Sequence, residues 1–128
     1  MAKKILLVED EADILNSLTS RFKSCGFDVI AAGDGHDGLS KARQEAPDLI
    51  ILDLMLPKMD GYKVCRMLKF DDKFKHIPVI LFTARAGEAD KLASREVLAD
   101  AYLIKPLDFE VLLAKVRELL KIETLQPR

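Results

Sequence analysis

Polar residues that could do chemistry stand directly after short apolar runs in this sequence. They carry carboxylate, hydroxyl or ammonium groups, and they are Glu9, Asp10, Glu11, Asp53, Thr83 and Lys105. Two carboxylates about 5 Å apart repel each other by about 3 kcal/mol at an effective dielectric constant of 20. Three carboxylates at one place would therefore take up a proton or bind a cation.

The residue types favour a divalent cation and a phosphoryl group as ligands of such a cluster. Hard oxygen ligands at a partly open site favour Mg²⁺, which keeps water and a substrate phosphate in its shell. A cation, the Lys105 ammonium and the Thr83 hydroxyl together suit the equatorial oxygens of a phosphoryl group. One of the carboxylates could then act as the nucleophile and form an aspartyl phosphate.

The apolar runs that precede these residues predict the elements that position them. Residues 5–8, 49–52 and 79–82 are continuous apolar runs, typical of strands buried on both faces of a parallel sheet. The weaker runs at 27–32 and 101–104 predict flanking strands. Because ligands bind beyond the carboxyl ends of the strands in such sheets, the polar residues are expected to meet at one edge.

Helical patterns alternate with these strands in five segments, at 14–25, 39–46, 60–68, 87–98 and 109–120. Gly26 is expected to end the first helix, Pro47 to stop the second and Asp60 to cap the third. Five β–α units predict an α/β fold with a five-stranded, parallel, doubly wound sheet of the flavodoxin-like order 2-1-3-4-5 and five flanking helices. The strand order then reverses between strands 1 and 3.

Composition excludes several other classes of protein. The chain has 128 residues, of which 49% are hydrophobic and 32% charged, and its net charge is −1. These values predict one globular domain, and they favour neither a disordered chain nor direct binding to nucleic acid. No apolar run approaches the roughly 20 residues that span a bilayer. Cys25 and Cys65 form no CxxC pair and are expected in the core of a protein from a reducing compartment, the cytoplasm.

The sequence resembles the receiver domain of two-component response regulators over almost its whole length. The resemblance rests on motifs at the predicted strand ends, which are ILLVEDE at 5–11, PDLIILD at 47–53, MLP at 55–57, MDG at 59–61, PVILFTA at 78–84 and YLIKP at 102–106. Each motif is weak alone, but their common order is specific for this family.

The resemblance implies a phosphoacceptor and a metal site. Asp53 would accept the phosphoryl group and would also bind Mg²⁺. Asp10 would contact the metal directly and Glu9 through water, while Met55 would supply its backbone carbonyl.

The resemblance also implies which residues respond to the phosphoryl group. Lys105 would contact a phosphate oxygen, and Thr83 would turn its hydroxyl toward the phosphate. Tyr102 would be the switch aromatic, and the small side chain of Ala84 would keep the site accessible. The bond between Lys105 and Pro106 would be cis.

A phosphorylation-dependent signalling switch is the function that the resemblance implies. A histidine kinase or phosphotransfer protein would donate a phosphoryl group to Asp53, and the face formed by helix 4, strand 5 and helix 5 would change its affinity for a protein partner. A phosphorylation-linked homodimer is a further expectation. The protein would gain and lose its own phosphoryl group rather than turn over a substrate.

The sequence departs from the family pattern at three positions. Glu9 stands where aspartate is commoner, Leu98 where glycine is common and Ala101 where an acid is common. The last two precede or begin the fifth strand, so the connection there is expected to differ.

A GxGxxG motif at 33–38 matches a dinucleotide-binding fingerprint. It follows an edge strand, away from the point where the strand order reverses, and the loop after strand 1 is acidic and would repel a pyrophosphate. We therefore expect Gly33, Gly35 and Gly38 to serve a turn and the start of the second helix.

Other functions remain open at this point. A hydrolase resembling the haloacid dehalogenase family would carry Asp-x-Asp, but Leu54 and Met55 follow Asp53. A pseudo-receiver would bind partners without phosphorylation, which the complete set of site residues disfavours. A flavodoxin-like electron carrier would need a phosphate-binding loop after strand 1.

We expect residues 1–122 to form the receiver domain and 123–128 to form a short tail. That length favours a stand-alone receiver. The alternative is a receiver domain excised from a longer regulator with a DNA-binding output.

Overall fold

The structure is a computed structural model that describes residues 2–84 and 87–122, with only the backbone described at 88–91. Its strands are β1 (Lys4–Val8), β2 (Asp28–Ala32), β3 (Leu49–Leu52), β4 (Val79–Thr83) and β5 (Ala101–Ile104). Its helices are α1 (Ala12–Ser24), α2 (Gly35–Glu45), α3 (Gly61–Lys69), α4 (Glu88–Glu96) and α5 (Phe109–Leu120). Strands and helices alternate along the chain as predicted.

The strands form one parallel sheet in the order β2-β1-β3-β4-β5. β1 lies between β2 and β3, so Leu6 stands opposite Ile30 on one side and Ile50 on the other. The predicted fold class and strand order are therefore confirmed. The order reverses between β1 and β3, which brings the carboxyl ends of these two strands side by side.

Apolar side chains fill both faces of the sheet, which explains why the central strands are continuous apolar runs. Because side chains alternate along a strand, Ile5 and Leu7 pack with α1 and α5, whereas Leu6 and Val8 pack on the face covered by α2, α3 and the end of α4. The edge strand β5 is only half-buried, which agrees with its weaker pattern.

Helix α3 begins directly against the strand end that carries Asp53. The Asp60 side chain accepts a hydrogen bond from the Lys63 backbone N–H at 3.0 Å, which confirms the predicted N-cap. A Cβ at Gly61 would lie 2.2 Å from the Asp53 carbonyl oxygen, so only glycine allows this close approach. The backbone of Asp53 is thus held between β3 and α3.

Close packing accounts for two of the three glycines in the GxGxxG motif. A Cβ at Gly35 would lie 1.8 Å from the Met59 carbonyl oxygen, and one at Gly38 would lie 2.8 Å from a Val8 methyl carbon. The Asp34 side chain caps α2 by accepting a hydrogen bond from the Asp37 N–H at 2.8 Å. The motif therefore starts a helix that packs tightly against β1 and the β3–α3 loop.

The expectation that both cysteines lie in the core is wrong for Cys25. Cys65 is buried, but Cys25 is exposed, because it is the C-cap of α1 and the chain turns at Gly26 with φ 92°. Phe22 and Phe27 fill the core there instead, in an edge-to-face contact with ring centroids 5.8 Å apart.

The end of α4 adopts a backbone conformation that usually takes glycine. Leu98 has φ 63°, in the left-handed region. The N–H of Leu98 donates to the Arg95 carbonyl and that of Ala99 to the Ser94 carbonyl, both at 3.1 Å, as in a Schellman motif. The chain thus keeps the turn although a leucine occupies it. The predicted tail, 123–128, lies outside the described residues.

Candidate functional site

Backbone hydrogen bonds between neighbouring strands continue to Glu9 and Asp53, two residues of the predicted cluster. The Glu9 N–H donates to the Ala32 carbonyl at 3.0 Å, and the Asp53 N–H donates to the Val8 carbonyl at 3.1 Å. Each residue is thereby fixed relative to the neighbouring strand. The cluster stands on a rigid sheet edge, as the strand-end pattern predicted.

Three carboxylates meet at this edge. Glu9, Asp10 and Asp53 each place an oxygen within 4.8 Å of an oxygen of the other two. Glu9 is only 4% exposed and Asp53 7%, whereas Asp10 is exposed to solvent. The cluster is therefore open on the side of Asp10 and closed beneath Glu9 and Asp53.

Lys105 reaches into the cluster from the end of β5. Its ammonium donates a hydrogen bond to Glu9 Oε1 and lies 3.1 Å from Asp53 Oδ2, so it bridges two of the three carboxylates. The Nζ atom lies 5.4 Å from the centre of the Phe82 ring, within the range of a cation–π contact. The Lys105–Pro106 peptide bond is cis, as expected.

Two backbone amides hold the carboxylates in place. The Met55 N–H donates to Asp53 Oδ1 at 3.2 Å, and the Glu11 N–H donates to Glu9 Oε2 at 3.2 Å. The Met55 side chain is 59% exposed, so its backbone is the part of the residue that contacts the cluster.

The pKa values of the buried pair reflect burial and charge together. Burial raises the pKa of the Glu9 carboxyl above its ordinary value, although the Lys105 ammonium and the Glu11 N–H act in the opposite direction. Burial alone would lower the pKa of Lys105, but the nearby Glu9 and Asp53 carboxylates outweigh it and hold the pKa above its ordinary value. Lys105 is therefore a cation at neutral pH.

The remaining predicted residues lie on β4 and β5 or directly after β4. Thr83 ends β4 and is fully buried, and the Lys105 N–H donates to its carbonyl at 2.8 Å. Ala84 follows it and is exposed. Tyr102 is half-buried, stands opposite Leu81 on β4 and packs on the α2–α3–α4 face of the core.

Phe82 and the double contact of Lys105 were missed by reasoning from sequence. Phe82 lies one residue before Thr83, so its ring could have been predicted to lie near Lys105, which directly follows β5. The bridge from Lys105 to both Glu9 and Asp53 depends on side-chain conformation, which a spacing pattern does not carry.

An apolar cleft of about 360 Å³ adjoins the cluster on the α1 side. It lies beside Lys105 and Phe82, and α1 contributes Ile14 and Leu18 to its wall. Lys105 connects the two sites, because it lines the cleft and also contacts Glu9 and Asp53.

A family match decides what kind of domain carries this site. The response regulator receiver domain family matches residues 5–117. The chain belongs to this family. The receiver-domain resemblance inferred from the sequence is thereby confirmed.

Relatives of this receiver domain include named transcriptional regulators. The chain is 42% identical to the alkaline phosphatase synthesis transcriptional regulatory protein PhoP of Bacillus subtilis, over 94% of this chain and 50% of that protein. It is 43% identical to the DNA-binding dual master transcriptional regulator RpaA of Synechocystis, over 92% of this chain and 49% of that protein. The chain thus spans about half the length of these curated relatives.

Solved structures share the fold of this receiver domain. A CheY-like response regulator receiver domain protein from Methanospirillum hungatei superposes with a TM-score of 0.89 and 30% identity, covering 94% of this chain and 95% of that one. The BeF3-activated N-terminal receiver domain of Klebsiella pneumoniae RstA superposes with a TM-score of 0.84 and 30% identity, covering 93% and 99%. In the part of this chain that the structure describes, no helix has the length and apolar character needed to cross a bilayer.

Proposed function

We propose that this receiver domain, residues 1–122, is a phosphorylation switch that accepts a phosphoryl group on Asp53. A phosphohistidine of a histidine kinase or phosphotransfer protein is the donor, and the reaction depends on Mg²⁺. The observation that carries the proposal is the position of Asp53. Its carboxylate lies in an acidic cluster that is open on the side of Asp10, 3.1 Å from the Lys105 ammonium, at the sheet edge where the strand order reverses.

The donor set of the cluster fits a hard divalent cation. Glu9, Asp10 and Asp53 offer carboxylate oxygens within 4.8 Å of one another, and the exposed side at Asp10 leaves room for water and a phosphate. We propose Asp10 and Asp53 as direct ligands, Glu9 as a ligand through water, and the Met55 carbonyl as a further ligand. Bound Mg²⁺ would offset the negative charge of the carboxylates and of the phosphoryl oxygens.

Asp53 acts as the nucleophile in the proposed transfer. One carboxylate oxygen attacks the phosphorus of the phosphohistidine, so an O–P bond forms while the N–P bond breaks and its electron pair returns to the imidazole nitrogen. Lys105 keeps a positive charge beside the reacting oxygens. The Met55 N–H orients the other oxygen of Asp53 through its 3.2 Å hydrogen bond.

The phosphoryl group changes the charge at the cluster and thereby the surface around it. It adds about −1.5 to −2 charges next to Glu9, so the Lys105 ammonium gains a stronger acceptor than the Glu9 carboxylate. The Thr83 hydroxyl binds the phosphoryl oxygens, and the Tyr102 side chain moves together with Thr83. The face made by α4, β5 and α5 then changes its affinity for a protein partner or for a second copy of the chain.

The cleft beside Lys105 is where we propose that the protein donor docks. Ile14 and Leu18 give it an apolar wall, and Lys105, which contacts two of the cluster carboxylates, also lines it. Changing Leu18 to aspartate should slow transfer from a phosphohistidine protein, because a charge replaces part of the docking wall. Phosphorylation by acetyl phosphate should be unchanged, because that donor is too small to need the wall. Equal slowing with both donors would contradict docking at this cleft.

Labelling with a small donor tests the proposed function directly. Wild-type protein incubated with acetyl phosphate and Mg²⁺ should gain the mass of one phosphoryl group, and chelation of the metal should prevent the gain. Asp53→Asn should show no gain, while Asp28→Asn, at the exposed opposite end of the sheet, should label like wild type. BeF3⁻ should raise the melting temperature of wild type and not that of Asp53→Asn. Labelling of Asp53→Asn at the wild-type level would refute the assignment.

A second candidate is a receiver that serves as one part of a longer DNA-binding regulator. The observation that favours it is the match to only about half of relatives named as transcriptional regulators. Sequencing the gene and its transcript beyond codon 128 separates this candidate from a stand-alone receiver. The cytoplasmic location predicted from the sequence belongs to either candidate, since free thiols at Cys25 and Cys65 suit a reducing compartment.

A further inference from the structure

A second cleft lies on the opposite face of the sheet from the donor cleft. It runs along α3 beside the end of α4 and has a volume of about 680 Å³. We call it the α3 cleft, and its walls include Tyr62, Lys63, Arg66, Met67, Phe70 and Val97. The role proposed for the receiver site leaves this cleft unused.

The base of the α3 cleft offers apolar surface that the fold does not cover. The Phe70 side chain is 63% exposed, although it ends a helix whose other face is buried. The Arg66 guanidinium carbon lies 5.9 Å from the centre of the Phe70 ring, so a cation flanks the exposed aromatic side chain. Tyrosine, phenylalanine, methionine and arginine are the residue types enriched where proteins bind one another.

The rim of the α3 cleft is positively charged. Lys63 and Arg66 are exposed on α3, and neither forms a salt bridge with a side chain that the structure describes at 2–84, 87 or 92–122. Asp60 is the acid that lines the cleft among the described residues, and its carboxylate is engaged in capping α3 through the Lys63 N–H. Because both side chains are exposed, the two cations are accessible to an incoming anionic group.

We propose that the α3 cleft binds an acidic, amphipathic segment of a different protein. Apolar side chains of that segment cover Phe70 and Met67, and its carboxylates pair with Lys63 and Arg66. A second copy of this chain is a poorer occupant, because a two-fold contact sets each patch against itself and would bring Lys63 and Arg66 close to their own counterparts. This inference stands whether or not Asp53 accepts a phosphoryl group.

Three synthetic fluorescent peptides test the charge and apolar requirements with the full 128-residue chain. The first is an amphipathic helix with leucine and phenylalanine anchors flanked by glutamates, the second has lysines in place of the glutamates, and the third has alanines in place of the anchors. Fluorescence anisotropy should show binding of the acidic peptide. The lysine and alanine peptides should each bind at least about tenfold more weakly.

Variants of the exposed side chains assign the binding to the α3 cleft. Phe70→Ala should weaken the acidic peptide about tenfold or more, whereas Val111→Ala, at an apolar side chain 49% exposed on α5, should leave its affinity unchanged. Replacing both Lys63 and Arg66 by glutamate should reverse the preference, so that the lysine peptide binds more tightly than the acidic one. Circular dichroism should confirm that each variant keeps the wild-type fold.

Several results would overturn this proposal. They are no binding of the acidic peptide, equal binding of the acidic and lysine peptides, or equal loss of affinity in Phe70→Ala and Val111→Ala. Sedimentation velocity measures whether the chain self-associates, which would also overturn the proposal if the α3 cleft is responsible. Self-association that Phe70→Ala abolishes would assign the cleft to a second copy of the chain instead.

Discussion

Replacing Asp10 by asparagine should make the metal-free protein more stable and remove its response to Mg²⁺. Asp10 repels Glu9 and Asp53 in the carboxylate cluster, but unlike them it has no contact with the Lys105 ammonium. Asparagine keeps the size of the side chain and removes its charge. The variant therefore loses a repulsion without losing an ion pair.

The expected increase in the free energy of unfolding follows from the distances between the carboxylate oxygens of the cluster. Two unit charges 4.8 Å apart repel by about 0.9 kcal/mol in bulk water and by about 3.5 kcal/mol at an effective dielectric constant of 20. Because Asp10 is exposed, the lower value applies to each of its two repulsions. The longer-range attraction of Lys105 offsets part of their sum. We expect Asp10→Asn to raise the free energy of unfolding by about 1 kcal/mol at low salt.

Magnesium should make wild type more stable than Asp10→Asn, which reverses the order expected without the metal. A ligand that binds only the folded state at ten times its Kd adds about 1.4 kcal/mol to the free energy of unfolding. Wild type should gain this amount, and Asp10→Asn, which lacks a proposed direct ligand, should gain little. Urea unfolding followed by circular dichroism, with EDTA or with MgCl2, measures both effects.

Glu11→Gln is the matched control for this comparison. Glu11 is exposed in the same loop, but its carboxylate lies outside the three-carboxylate cluster. The control should follow wild type with and without Mg²⁺. If Asp10→Asn is less stable than wild type in EDTA, or gains as much stability from Mg²⁺, then charge repulsion relieved by a metal does not describe this cluster.

Three further predictions concern parts of the fold away from the cluster. Leu98→Gly should raise the free energy of unfolding, measured by urea titration, by about 0.5–1 kcal/mol, because glycine adopts φ 63° without strain. An unchanged free energy of unfolding would show that Leu98 is not strained at this position. Lys69→Met should lower the free energy of unfolding by about 2–4 kcal/mol, because it breaks the 2.6 Å ion pair between the buried Lys69 and Asp100. A loss below about 1 kcal/mol would show that stability does not depend on this ion pair. In the native protein, Ellman's reagent should react with the exposed Cys25 thiol alone, because burial raises the pKa of the Cys65 thiol to about 12. In urea it should react with two thiols per chain, and reaction of two thiols in the native protein would contradict the burial of Cys65.

The positions of Glu9, Asp53 and Lys105 were predictable because each of these residues directly follows a strand. Apolar runs locate the strand ends, and the alternation of strands and helices gives the sheet order that brings Glu9, Asp53 and Lys105 to one edge. The N-cap at Asp60 was predictable for a similar reason, since it depends on neighbouring backbone alone.

Features that depend on side-chain packing across the fold were not predictable in this way. Lys69 lies within a helix that reads as amphipathic, yet its ammonium is buried and donates to the Ile77 carbonyl at 2.7 Å. Cys25 continues the apolar spacing of α1 but is exposed, because the helix ends one residue earlier. The exposed Phe70 carries no periodic signal that distinguishes it from a core residue.

Identifying the phosphorylated residue is the most direct test of the central claim. Protein labelled with acetyl phosphate and Mg²⁺ is treated with sodium borohydride, which reduces an aspartyl phosphate to homoserine, and its peptides are sequenced by mass spectrometry. We predict homoserine at position 53 and at no other aspartate. Homoserine at another position, or a phosphoryl group that resists borohydride because it is not an acyl phosphate, would contradict the account.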